Sequence, residues 1–231
     1  MKIAVFGDSF ANKTPQGQAW WQMLRSHGHM VTSYGEAGSS INFSAKLLKE
    51  RHQDFDFVIW CITTPGRFSA QIPGSDQMFH SNKVITLDGA IYNRYKNHNI
   101  GIDTAMVTAC QQYLKYFFDP EVENLIGTSL AHYFLNTIPN LMIIPCFQMP
   151  LQTEFNLFEV SSREIQTVLP GQELHVVYQS RRDIRTCHLT EKNNKILAEL
   201  VCTNLKPGIF TTEYTNFCFE NISLDSILEP L

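Results

Sequence analysis

Ile3-Ala4-Val5-Phe6-Gly7-Asp8-Ser9-Phe10 is the stretch on which the reading of this chain turns. Four apolar residues in a row predict a short strand buried on both faces, and Gly7-Asp8-Ser9 ends it with residues that favour a tight turn. In an open α/β sheet, ligands gather at the carboxyl ends of the strands, where backbone amides can face a developing oxyanion. Ser9 therefore stands where a nucleophile would stand. The same tripeptide also reads as a plain strand-to-helix turn with Asp8 or Ser9 as a cap. For Asp8 the structural role is expected: a carboxylate that accepts backbone hydrogen bonds and holds the turn.

Moving outward, residues 19–24 (Ala-Trp-Trp-Gln-Met-Leu) have helical spacing of bulky apolar side chains and stop at Gly28, and residues 29–34 read as a second strand. This is a β-α-β opening. Residues 35–40 (Gly-Glu-Ala-Gly-Ser-Ser) form a small-residue loop, with Ser40 positioned to cap a helix running to about Arg51, and Gly38 can bring a backbone amide close to a ligand. Residues 55–62 are the third and most hydrophobic strand, ending in Thr63-Thr64-Pro65-Gly66-Arg67.

The pattern dissolves over residues 68–100, which read as a long loop or insertion with a short hairpin near 84–92. Residues 102–118 and 122–138 carry helical spacing on either side of Asp119-Pro120, where proline starts the second helix, and residues 141–145 are a fourth buried strand. Residues 147–186 are read as irregular, and 189–205 as a helix preceded immediately by His188. One α/β domain over residues 1–205, with long insertions at 68–100 and 147–186, is the expected organisation. The aromatic tail 206–231 either packs on that domain or docks on another copy or a larger assembly.

Composition narrows the function. With 44% hydrophobic and 17% charged positions, 231 residues can bury a full core, and a net charge of −4 leaves no electrostatic footprint for nucleic acid or an anionic membrane. There is neither a run of membrane-spanning length nor a basic-apolar-small leader, so a soluble chain without an export signal is expected. The six cysteines show no C-x-x-C spacing and several lie in apolar segments, which predicts buried free thiols and a reducing compartment. The histidines other than His188 have no metal-ligand spacing, and phosphate-loop, dinucleotide and G-x-S-x-G motifs are missing, so no cofactor or metal is expected.

A serine at a first strand's end and a histidine before the last helix are the two parts a serine hydrolase needs, provided the fold brings them together. Val5-Phe6-Gly7-Asp8-Ser9-Phe10 resembles the first block of the SGNH, or GDSL-type, hydrolases, and the stretch from Cys187-His188-Leu189-Thr190 to Ala198 is similar to their last block. The resemblance implies a three-layer α/β/α fold on a mostly parallel open sheet, Ser9 as nucleophile and oxyanion amide, His188 as general base, and Gly38 as a second oxyanion amide. It also implies, as substrate, an acetyl or short acyl ester of a carbohydrate or small molecule.

Two positions depart from the family pattern. The third strand runs into Thr63, Thr64 and Arg67, where the family has Gly-x-Asn, so these three are the candidate replacement donors. Arg185 occupies the usual place of the acid; Asp183 is the nearest carboxylate, and a Ser-His dyad is the alternative. The departures motivate a rival reading, an SGNH-like module that binds or assembles without catalysing. The histidine block is also similar to that of SGNH-like proteins of tailed bacteriophages, which implies a viral particle or infected-cell cytoplasm as the setting.

Overall fold

The computed structural model describes residues 1–12, 19–65, 67–71, 78–81, 108–109, 112–113, 115–165 and 189–219. Its centre is a five-stranded parallel sheet built from β1 (Lys2–Gly7), β2 (Met30–Gly35), β3 (Phe57–Ile62), β6 (Leu141–Pro145) and β7 (Gly208–Ile209), in the order β2-β1-β3-β6-β7. The order turns back between β1 and β3, as in flavodoxin-like doubly wound sheets, so their carboxyl ends flank the crevice where such folds bind ligands. A separate antiparallel hairpin pairs β4 (Phe68–Gln71) with β5 (Met78–Ser81).

Strand sequence accounts for the layers. Ile3, Val5, Ile59, Cys61, Met142 and Ile144 point to one face, and the alternating Ala4, Phe6, Val58, Trp60, Leu141 and Ile143 to the other. Both sets are buried, which is why these strands read as continuous apolar runs. The first face is covered by α1 (Trp20–Met23), by the amino-terminal part of α4 (Leu157–Ile165), and by α5 (Glu191–Thr203); the second by α2 (Ile41–Arg51) and α3 (Pro120–Thr137). The three-layer α/β/α expectation is met.

The caps follow the sequence. Ser40 Oγ accepts the Phe43 amide at 3.2 Å to open α2, and Asp119 Oδ1 accepts the Glu121 amide at 2.9 Å with Pro120 as the first residue of α3. Gly28, at φ 82°, closes the 3₁₀ turn that follows α1.

Within residues 68–100 the described hairpin is β4–β5, and the one expected near residues 84–92 lies outside the described residues. One expectation shifts. The 147–186 stretch contains α4, whose start is held by Asn156 Oδ1 accepting the Glu159 amide at 2.8 Å. The aromatic segment beyond residue 205 adds strand β7 to the sheet edge and buries Phe210 and Phe217.

Candidate functional site

The site is built at the carboxyl ends of β1 and β3, and its first component is a close approach of backbones. Gly7 lies opposite Gly35 on β2 and Cys61 on β3, at φ 149°. A Cβ on Gly7 would come within 2.5 Å of the Cys61 carbonyl, and one on Gly35 within 2.3 Å of the Ala11 carbonyl carbon. Only glycine lets the turn 8–11 fold down onto the sheet.

Asp8 then locks the turn. Its side chain is fully buried. Oδ1 accepts the Phe10 amide at 3.0 Å, closing an Asx turn around Ser9. Oδ2 accepts the Thr63 hydroxyl at 2.7 Å and pairs with Arg67 Nη1, which also donates to Thr63 Oγ1 at 3.0 Å. The Arg67 side chain is only 9% exposed and its guanidinium lies 5.2 Å from the centroid of the Phe147 ring. Phe147 in turn meets Phe10 edge-on at 6.0 Å. A buried ion pair thus clamps the turns after β1 and β3 together. Beneath it, Cys61 and Cys146 are buried free thiols. Burial pushes the Cys146 thiol well above its ordinary pKa, with its hydrogen bond to Cys61 adding to the effect, so it stays protonated.

The loop carrying Gly38 is tied to the same point. The Gly7 carbonyl accepts the Glu36 amide at 3.1 Å and the Ser39 hydroxyl at 3.1 Å, and Gly38 itself sits at φ 81°, a left-handed conformation suited to glycine. Ser40 donates its amide to Ser69 Oγ on β4 at 3.0 Å, which fixes the hairpin beside the start of α2. A groove of about 300 Å³ runs there, lined in part by Asn42, Phe43, Lys46 and Ser69.

Ser9 is half-buried and lines a pocket of about 10 Å³, room for one water, shared with Trp20, Leu189 and Asn194. Asn194 holds that wall together: Oδ1 accepts the Trp20 amide at 3.0 Å, and Nδ2 donates to the carbonyls of Leu189 at 2.9 Å and Thr190 at 3.0 Å. The chain segment that begins at Leu189 is thereby brought to the turn that carries Ser9, although the two are far apart in sequence.

Of the candidate residues, Ser9, Gly38, Thr63, Thr64 and Arg67 all fall on the loops at this edge of the sheet. The hydroxyl proton of Thr63 is engaged by Asp8, and Arg67 Nη1 by Asp8 and Thr63. Thr64 is half-buried in the same turn. His188, Asp183 and Arg185 lie outside the described residues.

Sequence reasoning did not anticipate Arg67 as the partner of Asp8, nor Asn194 as the link between α5 and α1. For Asn194 a signal existed: Asn193-Asn194 places two poor helix formers at the start of an apolar helix, and such residues earn their place by side-chain bonds. Among the described residues, no group of His, Cys, Asp and Glu is arranged to hold a metal ion, and no helix is long and apolar enough to cross a membrane. No protein-family model matches this chain, and no curated protein matches it.

Proposed function

We propose that the protein is a serine ester hydrolase of the SGNH type that removes an acetyl or short acyl group from a carbohydrate or other small-molecule ester. The observation that carries this reading is the shared pocket of Ser9 and Leu189, since Leu189 follows His188 directly in the chain. In this mechanism Ser9 Oγ attacks the ester carbonyl as His188 takes its proton. The amides of Ser9 and Gly38 hold the tetrahedral oxyanion, the alcohol leaves with the proton from His188, and water then releases the acyl group by the same steps. Asp183 orients His188, or the pair works as a dyad. The Asp8–Arg67–Thr63 clamp serves to position Ser9 rather than to react.

The rival reading, an SGNH-like binding or assembly module without turnover, draws on the single-water size of the pocket beside Ser9. A fluorophosphonate probe separates the two. Intact mass should show one adduct on the wild type, none on Ser9→Ala, and a slowed reaction on His188→Ala. A folded wild type that takes no adduct would rule the esterase out in favour of the binding module.

A further inference from the structure

Two side chains on the wall of the Ser9 pocket, Asn194 and Trp20, are tied into it more firmly than packing requires. Both are buried. Asn194 lies in the first turn of α5 and engages its whole amide: Oδ1 accepts the Trp20 amide at 3.0 Å, and Nδ2 donates to the Leu189 and Thr190 carbonyls at 2.9 and 3.0 Å. α5 does not need Asn194 as a cap. Thr190 already closes its amino end, with Oγ1 accepting the Asn193 amide at 3.3 Å and its carbonyl accepting the Asn194 amide at 2.8 Å. The group in need is the Trp20 amide, the first of α1, because Ala19 before it has no side-chain acceptor to offer. Asn194 supplies that acceptor from 174 residues away.

Trp20 carries the tie onward to the turn that holds Ser9. Its indole Nε1 donates to the Phe10 carbonyl at 2.9 Å, and the Phe10 amide is the one that Asp8 Oδ1 accepts. A buried path of hydrogen bonds thus runs from Leu189 through Asn194, Trp20 and Phe10 to Asp8. Phe10, Trp20, Leu189 and Asn194 all line the pocket with Ser9. One end of the path brackets Ser9 between Asp8 and Phe10; the other is the residue that His188 directly precedes. A fully satisfied buried network of this kind favours a single arrangement of its members.

We propose that Asn194 and Trp20 are positioning residues for Ser9, setting the turn that carries the nucleophile against the segment that enters α5. The inference rests on the esterase reading and adds to it the side chains that fix the reach between Ser9 and the chain after His188. Neither takes part in the chemistry, since the polar groups of both side chains are already engaged. Their effect is on geometry, where a misplacement of about 1 Å can cost about 100-fold in rate.

Fluorophosphonate labelling of the full chain, followed by intact mass over a range of probe concentrations, separates the maximal rate of modification from the concentration that gives half of it. Asn194→Asp keeps the size and the acceptor for Trp20 but sets a carboxylate against two carbonyls, and its charge suits the first turn of a helix, so the chain should fold. Trp20→Phe removes the indole donor. Each should slow the maximal rate about 10–100-fold and leave the half-saturating concentration within about twofold. Val201→Ala, a buried truncation on α5 that does not line the pocket, shows what lost stability does by itself. It should lower the urea midpoint and leave labelling within about twofold of wild type. Labelling at the wild-type maximal rate by either folded variant would overturn the proposal, as would an equal slowing in Val201→Ala or a change confined to the half-saturating concentration. A wild type that takes no adduct would overturn the esterase reading and this inference together, whereas a labelled wild type with unslowed variants overturns this inference alone.

Discussion

The turn after β1 and the outer face of α3 invert the usual placement of side chains in opposite directions. The turn buries a charge pair, Asp8 and Arg67, with donors and acceptors arrayed around it. The helix leaves Val122, Leu125, Ile126 and Tyr133 in water, with its acidic residues confined to the first turn. A buried ion pair is weak support for stability, because desolvation offsets much of the attraction, so its presence argues for positioning. An apolar face in water forgoes the hydrophobic stabilisation that burial would supply. Exceptions of both kinds concentrate where a protein does something besides fold. The comparison separates the molecule into an edge that fixes the turn carrying Ser9 and a helix face that leaves apolar side chains in water.

The sharpest way to break this contrast is at the clamp. Asp8→Asn keeps an acceptor for the Phe10 amide but loses the charge that faces Arg67, leaving a buried guanidinium without its counter-ion. Loss of one member of a buried pair costs about 3–5 kcal/mol. Arg67→Met removes the other member. The double variant Asp8→Asn/Arg67→Met should lose less than the sum of the singles, with a coupling of about 0.5–3 kcal/mol, because neither charge is left stranded. Urea unfolding midpoints at one pH check this. Singles that each cost under about 1 kcal/mol, or costs that simply add, would show that the pair is incidental to the turn.

A smaller effect is expected at α3. Leu125→Glu/Tyr133→Glu replaces side chains that already stand in water, so the two exposed positions should alter stability by no more than about 0.5 kcal/mol each. Urea unfolding midpoints read this too. A cost as large as that of the clamp would break the contrast between the two regions.

These two regions were not equally legible in the sequence. β1, β3 and β6 announce themselves because a strand buried on both faces must be apolar throughout, and Phe57-Val58-Ile59-Trp60-Cys61-Ile62 has no other reading. The cap at Ser40 and the proline start of α3 were equally plain. The start of α4 was not, although Asn156 and Glu159 have the spacing of a helix start, because Pro and Gly on either side suggested a loop. β7 was invisible: two residues are too few to show a period. At the site, Gly7-Asp8-Ser9 marks the position, but nothing in a linear sequence says that Asp8 and Arg67 will meet. Their pairing arises from the parallel register that sets Gly7 beside Cys61. The apolar outer face of α3 was in the sequence from the start, yet helical spacing alone cannot tell which apolar side chains the fold will cover.

His29, between these extremes, should show the smallest effect. It sits at the entry to β2 with Nδ1 buried and unpaired among the described residues, and Nε2 lies 3.9 Å from Cys202 Sγ on α5. Burial lowers its pKa from the ordinary 6.5, and the positive charges of the chain's amino terminus and His27 push it the same way. The unfolded chain therefore binds a proton at a pH where the folded chain does not. The stability tied to His29 is complete above pH 6.5, falls as the pH drops below that value, and levels off below the folded-state pKa. His29→Asn has nothing to titrate in this range. Between pH 7.5 and 5.5, wild-type urea midpoints should fall further than those of the variant, and the difference should vanish above pH 7.5. Parallel curves would mean that protonated His29 finds a partner in the folded protein. The buried, unpaired nitrogen would then place His29 with neither the satisfied clamp nor the exposed face.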